Sequence, residues 1–138
     1  MKYFLDTNVI IDFVNKEPKA IDLLKSILQE ENSEIYINRL VEVESLRTIT
    51  YKQEESRNLY TRTKNILNQF IKLEMNPDIY KKAKDFSRYC HSQGLSIKGK
   101  CASIDYLHFI TAKYYNLKIL AFDGDMDKLE EKYQEYIS

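Results

Sequence analysis

The sequence has few of the residues that build disulfide scaffolds or flexible linkers. It contains two cysteines, three glycines and two prolines among 138 residues, and it has no tryptophan. Cys90 and Cys101 alone make no disulfide framework, which favours a reducing compartment such as the cytosol. With 43% hydrophobic and 30% charged residues, the composition is typical of a folded, helix-rich chain and argues against a disordered one.

Long apolar runs and an excess of one charge are also absent. No stretch approaches the ~18 apolar residues of a membrane span, and the first residues lack the charged and apolar pattern of an export signal. We therefore expect a soluble, cytoplasmic protein that does not bind membranes. Basic and acidic residues balance at 21 each, so any nucleic-acid binding must come from local charge. The length suits one domain, residues 1–138.

Short apolar runs alternate with helical patterns along the chain. The apolar runs predict strands at residues 2–5, at 34–37, around Leu73 and at 117–122. Helices are predicted over 8–15, 18–31, a segment capped by Asn38, 54–70, 78–91, a segment from a Ser103 cap to Tyr115, and a short frayed helix at the end. Strands separated by helices of this length favour an α/β fold of three layers, with a parallel sheet of four or five strands covered on both faces.

Two aspartates directly follow apolar runs. Asp6 ends the run KYFL, and Asp123 ends the run KILAF. In an open parallel sheet the carboxyl ends of the strands border one crevice, so both acids would point to the same place. Each of them could equally be only a turn or N-cap residue.

A third acid, Asp105, lies in the first turn of a helix that is apolar on almost every side. The helix dipole alone favours an acid at that position. A helix that is apolar all round is buried, however, so the carboxylate should lie at the inner end of a cavity. Several carboxylates in a small space need cations to stay ionised, and at least one should have a raised pKa from like-charge repulsion. Oxygen-only ligands select a hard ion, Mg²⁺ or Mn²⁺.

Four segments resemble, in order, the acidic motifs of PIN-domain ribonucleases. They are FLDTNVIIDF, INRLVEVESLR, SIDYLHFITA and ILAFDGD, within a resemblance that runs from about Lys2 to Leu129. The family includes the VapC-type toxins of toxin–antitoxin pairs. The resemblance implies a metal-dependent endoribonuclease that hydrolyses RNA phosphodiester bonds, with four catalytic acids: Asp6, Glu44, Asp105 and Asp123.

The resemblance also implies how the remaining residues of these segments contribute. The Mg²⁺ or Mn²⁺ ions would be held by Asp6, Asp105 and Asp123, with support from Thr7, Asn8 and Asp125. Ala121 departs from the family pattern, which usually has a small hydroxyl or amide residue there. Its lack of a polar group removes a hydrogen-bond partner and weakens the expected orientation of Asp123.

Two glutamates compete for the second acidic position. Helical periodicity does not favour Glu44, which lies far from the centre of the apolar stripe on its helix. The family spacing does favour it, because Glu44 follows the Asn38 cap by six residues and precedes the basic Arg47 by three. We therefore assign Glu44 rather than Glu42.

Candidate RNA-binding residues are Lys98, Lys100 and Arg47. The two lysines flank Gly99 just before the Asp105 helix. A solvated loop is the ordinary interpretation of such a segment. A basic loop beside an acidic metal site is also where RNA phosphates would bind.

Other site chemistries fit the sequence less well. Asp123, Asp125 and Asp127 alternate as at the start of an EF-hand loop, but Lys128 and Gln134 replace the required glycine and glutamate. A phosphoacceptor or phosphatase domain would use Asp6, yet the phosphatase pattern needs an acid where Asn8 stands.

The cysteines and histidines match no zinc module. Cys90, His91, Cys101 and His108 lack zinc-ligand spacing, so we interpret them as buried thiols and surface imidazoles. A further alternative is a PIN-like domain that binds RNA or protein without cutting, which the Ala121 departure leaves open.

The helix after Asn38 and the polar helix that follows carry more apolar residues than one buried stripe needs. These residues are Ile49, Tyr51, Leu59, Tyr60, Ile66 and Leu67. Such a surplus predicts a contact with another chain. In the resembling toxins this helix pair both dimerises and binds the antitoxin, so we expect a symmetric homodimer and a small antitoxin. A basic residue of the antitoxin, most simply Arg, would take the place of the metal among the carboxylates.

Overall fold

The computed structural model describes residues 1–49, 51, 54–95 and 102–138. Strands and helices alternate in these ranges: β1 Lys2–Leu5, α1 Thr7–Val14, α2 Pro18–Leu28, β2 Glu34–Asn38, α3 Arg39–Leu46, α4 Glu54–Leu67, β3 Ile71–Leu73, α5 Pro77–Ser92, α6 Ala102–Tyr114, β4 Lys118–Leu120 and α7 Asp125–Ile137. The predicted order of elements is confirmed. Across the described ranges, no helix combines the length and apolarity needed to span a membrane.

The four strands form one parallel sheet with the order β3-β2-β1-β4. Phe4 of β1 lies opposite Tyr36 of β2 on one side and Ile119 of β4 on the other. Among the described residues the sheet is parallel throughout, as predicted, and it has four strands, the lower of the two expected numbers. Because β1 lies between β2 and β4, the residues that follow these three strands meet at one edge of the sheet.

Two apolar clusters hold the helices against this sheet. The first joins β1 and β2 to helices α1–α4 and includes Phe4, Ile10 and Ile37, none of which is exposed. The second lies among α5, α6 and α7 and is centred on Phe86 and Phe109. Helices therefore flank the sheet as an α/β fold requires.

Two predicted helix ends differ from the structure. Helix α6 begins at Ala102, so Ser103 lies within the helix and is not its cap. Helix α7 has 13 residues and runs to Ile137, so it is longer than the short helix with a frayed tail that was expected. Its length is explained by apolar residues at helical spacing, because Met126 and Leu129 are buried and Tyr133 packs against Phe86.

The apolar surplus predicted on α3 and α4 is smaller than expected. Leu67 is 1% exposed and belongs to the core, and Leu59 and Ile66 pack partly against the same core. Tyr51 and Tyr60 are the members of the set that are clearly exposed, at 85% and 43%. The exposed part of the predicted set therefore consists of these two tyrosines.

Candidate active site

Asp6 lies at the carboxyl end of the central strand and is 4% exposed. Its backbone N–H donates to the Leu120 carbonyl at 3.0 Å, which fixes the end of β1 beside the end of β4. The residue occupies the N-cap position of α1, but its side chain makes no capping hydrogen bond. Asp6 Oδ1 lies 4.0 Å from the Nε2 of His108 on α6.

Asp123 follows β4 and is held in place by α1. The Asn8 Nδ2 donates to Asp123 Oδ2 at 2.9 Å, and the Asp125 backbone N–H donates to Oδ1 at 3.2 Å. The Asn8 Oδ1 also accepts from the Phe122 N–H at 3.3 Å. Asn8 thus supplies Asp123 with a hydrogen bond that Ala121 cannot provide.

Glu44 reaches the same edge from α3, which begins directly after β2. Its Oε1 accepts from Thr7 Oγ1 and from His108 Nε2, each at 2.7 Å. Glu42 lies elsewhere, within 3.0 Å of an Arg39 nitrogen and 3.4 Å of the Lys72 Nζ. The structure therefore brings Glu44, and not Glu42, to the carboxylates of the sheet edge.

Asp105 enters the site from the first turn of α6. Burial, followed by the nearby charge of Asp6, raises the pKa of Asp105 to about 7, and the charges of Asp123 and Glu44 act in the same direction. All four acids therefore share one electrostatic neighbourhood. The predicted raised pKa is confirmed, with the correction that burial contributes more than like-charge repulsion.

Two of the acids near Asp105, Asp6 and Glu44, have pKa values shifted in opposite directions. Burial raises the pKa of Asp6, outweighing the nearby His108. Burial also acts to raise the pKa of Glu44, but the hydrogen bonds from His108 and Thr7 outweigh it and leave that pKa lowered. The protein thus stabilises the charge of Glu44 itself and leaves Asp6 and Asp105 short of compensation.

A divalent cation fits this chemistry. Within the described part of the chain, no three His, Cys, Asp or Glu side chains are placed closely enough to form a metal site by themselves. Mg²⁺ does not require one, because it keeps several waters and is bound through one or two carboxylates together with substrate phosphates. Asp6, Asp105 and Asp123 offer only oxygen ligands. Burial, together with neighbouring negative charge, raises the pKa of both Asp6 and Asp105, and a bound cation would stabilise their ionised forms.

The remaining predicted site residues differ in how they relate to the four acids. The Asp125 backbone N–H supports Asp123, while the Asp125 carboxylate lies 3.8 Å from the Lys128 Nζ. Arg47 is exposed at the end of α3, and its charge helps to lower the pKa of Glu44. Lys98 and Lys100 lie outside the described residues.

His108 is the residue that the sequence interpretation missed. The prediction of a surface imidazole is wrong, because His108 is 0% exposed. The available signal was its position on the buried α6, three residues after Asp105, which places both side chains on neighbouring parts of one helix face. The EF-hand alternative is also excluded, because α7 begins at Asp125 and leaves no loop of the required length.

Comparison with known proteins identifies the fold. The sequence profile described as the PIN domain matches residues 3–132. A search of curated protein sequences finds no match.

Among solved structures, similar chains come from several toxin–antitoxin complexes. VapBC2 from Rickettsia felis, bound to a promoter DNA fragment, gives a TM-score of 0.77 at 18% identity, covering 94% of this chain and 93% of that one. VapBC-1 from nontypeable Haemophilus influenzae gives 0.74 at 19% identity, covering 95% and 93%.

A third structure is described by its activity. The sarcin–ricin loop cleaving toxin VapC20 from Mycobacterium tuberculosis gives a TM-score of 0.67 at 13% identity, covering 91% of this chain and 93% of that one. At such identities the likeness concerns the fold, which agrees with the profile match over most of the sequence. The chain therefore belongs to the PIN domain family.

Proposed function

We propose that this protein is a Mg²⁺- or Mn²⁺-dependent endoribonuclease and the toxin of a toxin–antitoxin pair. The observation that carries the proposal is the meeting of Asp6, Glu44, Asp105 and Asp123 at one edge of the sheet, with the pKa of Asp105 raised to about 7. Neighbouring carboxylates of this kind favour binding of a divalent cation, and the cation in turn binds the phosphodiester. The described cleavage of an RNA loop by the similar VapC20 supports the same reaction class.

The chain's own residues would have distinct tasks. Asp6, Asp105 and Asp123 would hold the metal, which when bound lowers the pKa of an attacking water and stabilises charge on the scissile phosphate. Asn8 orients Asp123, and Thr7 orients Glu44. Glu44, kept ionised, can accept a hydrogen bond from a water in the crevice.

The main alternative is a PIN-like domain that binds without cutting. Ala121 favours this alternative because its side chain cannot form a hydrogen bond that helps to orient Asp123. A poorly oriented Asp123 would bind metal weakly. The Asn8 contact to Asp123 at 2.9 Å compensates for that loss and favours the active interpretation. RNA would be contacted by the exposed Arg47 and, in our proposal, by Lys98 and Lys100.

The proposed antitoxin has an apolar surface available to it. Helices α1, α2 and α4 border a groove of about 830 Å³ beside β2 and β3, lined mainly by apolar side chains: Phe13, Ile21, Leu24, Leu28, Ile66 and Phe70. Leu28 on this groove is 71% exposed. Exposed apolar surfaces of this kind mark protein contacts, and the similar structures VapBC2 and VapBC-1 are toxin–antitoxin complexes. An Arg of the antitoxin would pair with the site carboxylates in competition with the metal.

We assign the homodimer contact to a second groove. It measures about 920 Å³ and lies on α3 and α4 among Leu46, Ile49, Tyr51, Arg57 and Tyr60. Tyrosine and arginine are enriched at protein interfaces. The two grooves separate the proposed partners, so that dimer formation and antitoxin binding can be tested independently.

Replacing acids of the quartet should abolish metal-dependent RNA cleavage. We expect Asp6→Asn and Glu44→Gln to lower cleavage by roughly 100-fold or more, the scale for loss of a metal ligand or its support. Glu42→Gln and the exposed Asp127→Asn are matched controls and should retain activity. Cleavage of a labelled RNA pool measures the effect, with EDTA abolishing it and Mn²⁺ restoring it. Equal activity of all four variants would contradict the assignment.

The raised pKa of Asp105 predicts a pH-dependent gain in stability for Asp105→Asn. Between pH 3.8 and about 7 the folded parent keeps a proton that the unfolded chain has released, so this group lowers stability as the pH rises. In EDTA the variant should therefore melt above the parent at about pH 8, and the difference should shrink toward about pH 4. Saturating Mg²⁺ should reverse the order. A gain that is independent of pH would contradict the assigned cause.

The dimer groove predicts the effect of a charge placed at its centre. Tyr60→Glu should shift the protein from dimer to monomer, because burying a carboxylate without a partner is unfavourable. Leu28→Glu is the matched control, since it places the same charge in the other groove and should leave the dimer intact. Light scattering at high micromolar protein measures both. A monomeric parent, or a dimeric Tyr60→Glu, would refute this surface.

A further inference from the structure

A buried chain of hydrogen bonds links β2 to the acidic site through α6. Asn38, the last residue of β2, is 0% exposed, and its Oδ1 accepts from the Val41 N–H at 3.0 Å. That bond fixes the orientation of the amide, so the Asn38 Nδ2 is the atom that lies 3.2 Å from His108 Nδ1. An imidazole nitrogen facing an NH₂ group must be an acceptor. Nε2 is therefore the ring nitrogen whose proton points toward Glu44.

The opposite nitrogen of His108 determines how Glu44 is presented. His108 Nε2 donates to Glu44 Oε1 at 2.7 Å, and Thr7 Oγ1 donates to the same oxygen at 2.7 Å. Two donors occupy the acceptor sites of Oε1 and leave Oε2 for any ligand. Because the donors come from α1 and α6, they restrain the Glu44 side chain from two directions.

We propose that His108 is a positioning residue that fixes Glu44 so that only Oε2 is presented to the crevice. This inference deepens the proposed nuclease function and rests on it. Neither ring nitrogen is available to a metal, because Asn38 occupies one and Glu44 the other. His108 therefore acts through Glu44 and is not itself a ligand or a proton donor to substrate.

A purely structural role for His108 is the competing explanation. The ring is fully buried and lies 5.6 Å from the ring of Phe4, so it also fills space in the core. The two roles differ in what a substitution should change. Loss of packing alters stability, whereas loss of the contact to Glu44 alters metal affinity and turnover in a folded protein.

Three substitutions at position 108 separate these roles. His108→Phe keeps an aromatic ring of similar size and removes both hydrogen bonds. His108→Gln places an amide N–H near the former Nε2 and can still donate to Glu44. His108→Asn is shorter and can reach only Asn38. A matched control is Thr111→Val, because Thr111 is also 0% exposed on α6 but donates only to the Leu107 carbonyl of its own helix.

The test measures Mn²⁺ affinity by the spectroscopic signal of free Mn²⁺, together with RNA cleavage and melting temperature. We expect His108→Phe and His108→Asn to weaken Mn²⁺ binding and turnover by roughly 10- to 100-fold, with little change in KM for RNA. His108→Gln and Thr111→Val should remain close to the parent. If His108→Phe does not fold, the test compares Mn²⁺ affinity and turnover between His108→Gln and His108→Asn.

The possible failures are distinguishable. A parent that binds Mn²⁺ and cleaves RNA, with Phe and Asn variants that do both equally well, would overturn the positioning role and leave the nuclease proposal intact. A parent that binds no Mn²⁺ would overturn the metal-dependent function and the positioning role with it. A Gln variant as weak as Asn would mean that the ring itself, and not its N–H, is required.

Discussion

The site depends on a carboxylate buried at the end of the central strand. Asp6 is 4% exposed, and an ionised acid there costs free energy unless donors or a cation compensate. The sheet order determines where compensation can come from, because β1 lies between β2 and β4 and its end borders the starts of α1 and α3. Burial of Asp6 and the parallel topology together produce the acidic edge.

The hydrogen bonds of the site stabilise the negative charges of these carboxylates to different degrees. Glu44 receives two donors on one oxygen, and Asp123 is held by Asn8. Asp105 has no such donor among the hydrogen bonds of the described residues, and burial with nearby charge raises its pKa to about 7. The part of the site that lacks hydrogen-bond donors is thus suited to a cation and a phosphate, as the proposed nuclease function requires.

The sequence predicted the alternation of elements and the acids at strand ends because both depend on local patterns. Helical periodicity could not select Glu44, since it reports burial within one helix and not a contact with Thr7 or His108. The same limit hid the role of His108, whose partners Asn38 and Glu44 are 70 and 64 residues away. The Asn8 contact that offsets Ala121 joins residues 115 apart. Such pairs become neighbours only through the sheet order.

The central claim is that these acids together require a divalent cation. Calorimetric titration of Mg²⁺ into metal-free protein near neutral pH, repeated in buffers of different ionisation enthalpy, measures how many protons binding releases. The account predicts binding with release of protons, since the cation must displace the proton that the raised pKa of Asp105 retains. Replacing Asp105 by Asn should remove most of that release. Absence of binding, or binding without proton release in the parent protein, would contradict the account.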